Sequence, residues 1–158
     1  MHALNEFDYR NAKAILNARV PGLLDEVLNI LNNAENRLDV NPHGKQRDVS
    51  RQIQRFFEAR GWRREVSHFS VPDLKYDLLK SGIPIEIEIG HERLVYAVFF
   101  KFLVDYSNQR IPTGIVVATE NPEDFGESWH NSRLKTQRKI EALSKFFLVP
   151  VLVIGISP

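Results

Sequence analysis

Cysteine is absent from this 158-residue chain, which excludes disulfides, thiolate metal sites and a cysteine nucleophile together. Long apolar runs are missing too. The longest, around Leu94–Val104, is interrupted by Lys101 and is too short to span a bilayer. The N-terminus shows neither the charged start nor the apolar stretch of a signal peptide, so a cytoplasmic location without membrane contact is expected. Net charge is almost nil, +1 from 21 basic and 20 acidic residues. A balance that even neither requires nor excludes a polyanionic partner, and the distribution has to decide. No repeat, low-complexity tract or linker divides the chain. At 43% hydrophobic it has enough apolar material for one core. A single domain over residues 1–158 is expected.

The charges are segregated. Basic residues gather in "GKQRDVSRQIQRFFEARGWRRE" and "NSRLKTQRK", whereas acids gather in the first forty residues, in "KYDLLKSGIPIEIEIG" and in "ENPEDFGES". Segregation of this kind is what a nucleic-acid surface needs, although scattered solvated helix faces produce similar runs.

Apolar spacing predicts helices over about 8–18, 22–36 and 46–60, the second with Pro21 at its entry and the third ending at Gly61. "DVNPHG" reads as a loop. From Trp62 the period changes to two: "WRREVSHFSV", "KYDLLK" and "IPIEIEI" read as strands. A mostly apolar helix over about 91–107 follows, then "TGIVVAT", a helix over about 132–146 and "VPVLVIGI". The two continuous apolar runs are marks of strands buried on both faces. The fold class is therefore α/β: a central mixed sheet of about five strands flanked by helices, with a helical part over 1–60 and a core over 61–158.

The hairpin "KYDLLKSGIPIEIEIG" carries the chemistry. In "IPIEIEIG", Ile83, Ile85, Ile87 and Ile89 share one face, and Glu86 and Glu88 share the other, about 6–7 Å apart. With Ser81-Gly82 as a two-residue loop, Lys80 pairs with Ile83, Leu79 with Pro84, Leu78 with Ile85 and Asp77 with Glu86. Like charges set directly opposite repel, so one carboxylate protonates or a cation sits between them. Oxygen donors without cysteine favour Mg2+, with Mn2+ as substitute, and such a site suits phosphodiester hydrolysis. Alternating glutamates also arise on an ordinary solvated strand face.

Asp77, eight residues, then Glu86-x-Glu88 resembles the active-site hairpin of the PD-(D/E)XK nuclease superfamily, and more closely the BglII/BstYI type of restriction endonuclease. "FDYRNAKAIL", "NPHGKQRDVSRQIQRFFEARGW", "IEIEIGHERLVYAVFFKF", "GIVVATE" and "VPVLVIGI" resemble that family in the same order, over nearly the whole chain. The resemblance implies a restriction-endonuclease-like core and Mg2+-dependent cleavage of double-stranded DNA by a homodimer at a short palindromic site. A non-specific or repair nuclease of the superfamily and an inactive DNA-binding relative are the alternatives.

Carried over by position, Asp77 and Glu86 are the metal ligands, and Glu88 takes the place the wider superfamily gives to lysine. Lys101 or Arg93 would restore that cation, unless Lys101 merely snorkels. Asp73 competes with Asp77, since Pro72-Asp73 spells the motif's first letters, but it lies about 13 Å further from the turn. The DNA-facing candidates are Lys45, Gln46, Arg47 and Arg51 at the start of the third helix, His91 after the second glutamate, and Asn131, Ser132, Arg133 and Lys135 at a loop-to-helix junction. Arg55 continues the third helix's basic face at i, i+4 from Arg51.

Overall fold

The computed structural model describes residues 1–40 and 46–158. The loop read at residues 41–44 and the candidate Lys45 lie outside the described residues. In chain order the elements are β1 (His2–Tyr9), α1 (Ala12–Arg19), α2 (Leu23–Leu31), α3 (Gln46–Glu58), β2 (Arg63–Ser67), β3 (Lys75–Lys80), β4 (Ile83–Glu88), α4 (Val95–Ser107), β5 (Gly114–Thr119), α5 (Arg133–Ala142) and β6 (Val151–Ser157). The strands form one mixed sheet in the order β1-β6-β5-β4-β3-β2. β4, β5 and β6 run parallel, joined by the crossover helices α4 and α5, and every other pairing is antiparallel.

The apolar runs are explained by two buried layers. Ile83, Ile85 and Ile87 of β4 face the cluster with Leu16, Leu24, Ile53 and Phe57 from α1, α2 and α3. Val116 and Val153 face the opposite cluster, with Val98, Phe102 and Ile140 from α4 and α5. A parallel centre covered on both sides needs residues that are apolar in both directions. Gly114 lets α4 come close, because a Cβ there would stand 2.5 Å from the Phe102 ring. No helix among the described residues is long and apolar enough to cross a membrane.

The sheet has six strands rather than about five, and expected helix boundaries move by up to five residues. The segment before residue 10 is not the start of a helix: it is β1, an edge strand paired with β6, with a bulge at Leu4. No residue of this edge strand is fully buried and its register shifts between Ala3 and Asn5, so "HALNEFDY" shows neither the continuous apolar run of the inner strands nor a clean alternation. The helix begins at Ala12 instead, where Asp8 Oδ1 accepts from Lys13 N at 3.1 Å. α2 stops at Leu31, five residues early. Asn33 Oδ1 takes the backbone N–H of Glu35 at 3.0 Å and Asn36 Nδ2 donates to the Ile30 carbonyl at 2.8 Å, so asparagine side chains replace the helical bonds.

Candidate active site

Ser81 and Gly82 both take left-handed φ angles, 52° and 77°, the two-residue turn whose twist suits a hairpin. Leu78 pairs with Ile85, Leu79 with Pro84 and Lys80 with Ile83, as expected from the sequence, but the fourth expected pair, Asp77 with Glu86, does not form. Pro84 precedes the first pair with β5, so its missing N–H breaks no ladder bond.

Beyond Leu78 the two strands part. Glu65 of β2 has φ 49° opposite this point, a local distortion of the neighbouring strand. Asp77 turns its carboxylate into the gap, where Oδ2 accepts the backbone N–H of Ile87 at 2.7 Å. Its other oxygen accepts from Gln54 Nε2 at 3.1 Å, and Gln54 Oε1 accepts from Arg64 Nε at 3.3 Å. The aspartate is thereby held by one backbone donor and one buried amide.

Glu86 and Glu88 point away from the isoleucine face, toward α4. Lys101 reaches down from that helix to 2.5 Å from Glu86 Oε1 and donates to the Lys75 carbonyl at 2.9 Å. Lys101 and Glu86 thus form a close ion pair. Burial pushes the Glu86 carboxyl well above its ordinary range; Asp77 adds to this and Lys101 opposes it. Glu88 is pushed up to about 7, by burial first and Asp77 second. Asp77 is also raised, because burial outweighs its bond from Ile87 and the charge of Lys101. Three carboxylates thus share one ammonium.

That shortfall of positive charge, three oxygen-bearing acids against one ammonium, fits a cation held through oxygen. Among the described residues no three His, Asp or Glu side chains converge as a closed metal cage. One or two carboxylates completed by water and substrate oxygens are what Mg2+ accepts. Above the carboxylates opens a cleft of about 730 Å3, lined by Asp77, Glu86, Glu88 and Lys101 and rimmed by Arg47, Arg51 and Arg64.

The family model for restriction endonuclease BglII/BglIII matches residues 4–156. The chain belongs to this family. Among solved structures, the crystal structure of restriction endonuclease BglII complexed with a DNA 16-mer aligns with a TM-score of 0.74 and 16% identity, covering 98% of this chain and 76% of that one. No curated protein sequence matches it. At such low identity the structural likeness establishes the fold.

Within this BglII-family chain, the expected residues divide by place. Asp77, Glu86, Glu88 and Lys101 come together, and Arg47, Arg51 and His91 line the same cleft. Gln46 is the first residue of α3. Arg55 and Arg93 are exposed and outside the cleft lining, so Lys101 is the cation beside Glu86. Asp73 is exposed in the loop before β3 and does not enter the cleft.

The residues from Asn131 to Lys135 are also outside the lining. Asn131 is buried, donating to the Glu88 carbonyl at 3.0 Å and to Thr136 Oγ1 at 2.9 Å. Ser132 caps α5 by accepting from Lys135 N at 3.2 Å. Arg133 is occupied by Glu120, with Nε and Nη2 at 2.8 and 2.9 Å from its oxygens. Lys135 Nζ donates to the carbonyls of Ser128 and His130 at 2.7 and 2.8 Å. Polar side chains at a loop-to-helix junction satisfy the junction's own backbone before anything else.

Among the polar residues lining the cleft, Ser50, Gln54, Arg64 and Glu65 escaped the sequence reading. Gln54 alone left a trace, as a polar residue between Ile53 and Phe57 on the buried side of α3.

Proposed function

We propose that the chain is a type II, Mg2+-dependent endonuclease that hydrolyses both strands of double-stranded DNA at a short palindromic site. The observation that carries this reading is the group of three carboxylates, Glu86 buried and Asp77 and Glu88 partly buried, with one lysine, open to a cleft also lined by Arg47, Arg51 and Arg64. The rim arginines suit the phosphate backbone. Asp77 and Glu86 would hold the cation, which supplies an acidified water and neutralises charge on the phosphoryl group. Glu88, with its proton affinity near neutrality, receives the proton of the attacking water as general base. Lys101 keeps positive charge beside Glu86 and facing the site, standing in for the lysine that Glu88 replaces. Asn131 holds the Glu88 backbone carbonyl and so fixes the end of β4.

A palindromic site calls for two clefts related by a two-fold axis, and we assign the chain a homodimer. Tyr96, Phe100 and Leu103 form an exposed row along α4, and contiguous apolar surface of this kind marks a protein contact.

Plasmid cleavage with Mg2+ or Mn2+ tests the assignment. Wild type is expected to give discrete fragments that disappear in Glu86→Ala and Asp77→Asn. Salt-dependent DNA binding with no cleavage by wild type in either metal would overturn it.

A further inference from the structure

Asp105 is wholly buried in the apolar helix α4 and lies outside the cleft. A charge in such a place is destabilising unless its lone pairs find donors. Tyr76 Oη donates to Oδ2 at 2.7 Å, Phe69 N to Oδ2 at 3.2 Å and Ser70 N to Oδ1 at 3.0 Å. His68, also buried, completes the group. Its Nδ1 accepts the backbone N–H groups of Ser70 and Val71 at 3.2 and 3.0 Å, so the hydrogen resides on Nε2. That N–H faces the backbone carbonyl of Lys101 at 2.8 Å, with Asp105 Oδ2 second at 3.2 Å.

Every part of this group bears on Lys101. Asp105 is one helical turn further along α4 and anchors that face of the helix to β3 through Tyr76. His68 holds the Lys101 carbonyl. The Lys101 ammonium meets the carbonyl of Lys75, the residue next to Tyr76, and then Glu86. Apolar contact, such as Tyr76 against Phe102 with ring centres 6.1 Å apart, is non-directional. Hydrogen bonds add a fixed distance and angle.

We propose that His68, Asp105 and Tyr76 are a buried positioning network that fixes α4 on β3 and so sets the Lys101 ammonium against Glu86. All three lie outside the cleft lining. The inference rests on the nuclease reading of the cleft only for its catalytic consequence.

The test uses Tyr76→Phe, alone and combined with Lys101→Met, and Asp105→Asn as a harsher change. Reductive methylation, followed peptide by peptide by mass spectrometry, reports on Lys101 in the free protein without any catalysis. Lys101, with 13% of its side chain exposed, is expected to label slowly in wild type. Its labelling should rise at least about fivefold in Tyr76→Phe while exposed Lys13 stays constant, a change in reach of the ångström-scale displacement that positioning arguments invoke. In single-turnover cleavage Tyr76→Phe should lower the rate about 10- to 100-fold at unchanged DNA affinity. It should lower the rate no further once Lys101 is Met. Unchanged Lys101 labelling in Tyr76→Phe overturns the proposal, whether or not Asp105→Asn folds. An equal rate loss in both backgrounds also overturns it, since general loosening acts without Lys101. Faster Lys101 labelling in a protein whose wild type cleaves no DNA would sustain the network and remove the nuclease reading.

Discussion

Glu88 stores a pH-dependent strain. Its carboxyl sits near 7 in the folded chain against an ordinary value of 4.5. A raised carboxyl favours the fold while protonated, below its ordinary value, and that advantage disappears as pH rises through about 7. Glu88→Gln should therefore be nearly neutral at acid pH and increasingly stabilising up to pH 8.5, by at most ~3 kcal/mol. Urea unfolding of the two proteins at several pH values measures this, and a pH-independent difference would count against it. The same crowding of carboxylates predicts that a divalent cation stabilises the free protein. At tenfold excess over its dissociation constant Mn2+ contributes about 1.4 kcal/mol, or a Tm rise of roughly 3–6 °C for a chain of this size. Asp77→Asn should lose most of that rise in a thermal melt, whatever its activity.

Among the elements, β3 and β4 make the site by separating. Their hairpin holds tight register from the turn to Leu78↔Ile85, and the gap beyond is filled by the Asp77 carboxylate. α3 closes one side of the opening with Gln54, and α4 closes the other with Lys101. The seat of α4 on β5 depends on Gly114. Gly114→Ala forces the Phe102 ring aside, and overpacking of this kind is destabilising by about 1–3 kcal/mol. Equilibrium denaturation should show that loss, accompanied by weaker cleavage because Lys101 moves with its helix. Full stability in Gly114→Ala would mean that α4 is not tightly seated on β5.

For the molecule as a whole, the exposed row of Tyr96, Phe100 and Leu103 continues toward Phe146 and Leu148, and Leu103, Phe146 and Leu148 line one groove. Sedimentation velocity is expected to show a homodimer at micromolar concentration. Phe100→Glu would place a charge on that row and should shift the protein to monomer, converting double-strand cuts to nicks. A monomeric wild type that still cuts both strands together would assign the row another role.

The order of helices and strands from α1 onward, the α/β class and the Asp77–Glu86–Glu88 hairpin were legible in the amino-acid sequence. They depend on local spacing: period two, continuous apolar runs and a turn of Ser81-Gly82 that fixes register. The edge strand β1 was not legible, because its pairing with β6 is satisfied from 140 or more residues away and leaves little trace in its own side chains. Nor was the burial of Glu86, which follows from α4 lying across it. Gln54, Arg64, His68 and Asp105 acquire partners only when distant segments meet. The residues from Asn131 to Lys135 show the converse: chemistry suited to DNA, already committed to carbonyls and carboxylates of the fold. Local pattern determined which groups exist and on which face of each element they stand. Tertiary packing decided which of them are desolvated, which are paired and which remain open to a ligand, because burial and long-range hydrogen bonding are properties of neighbours in space.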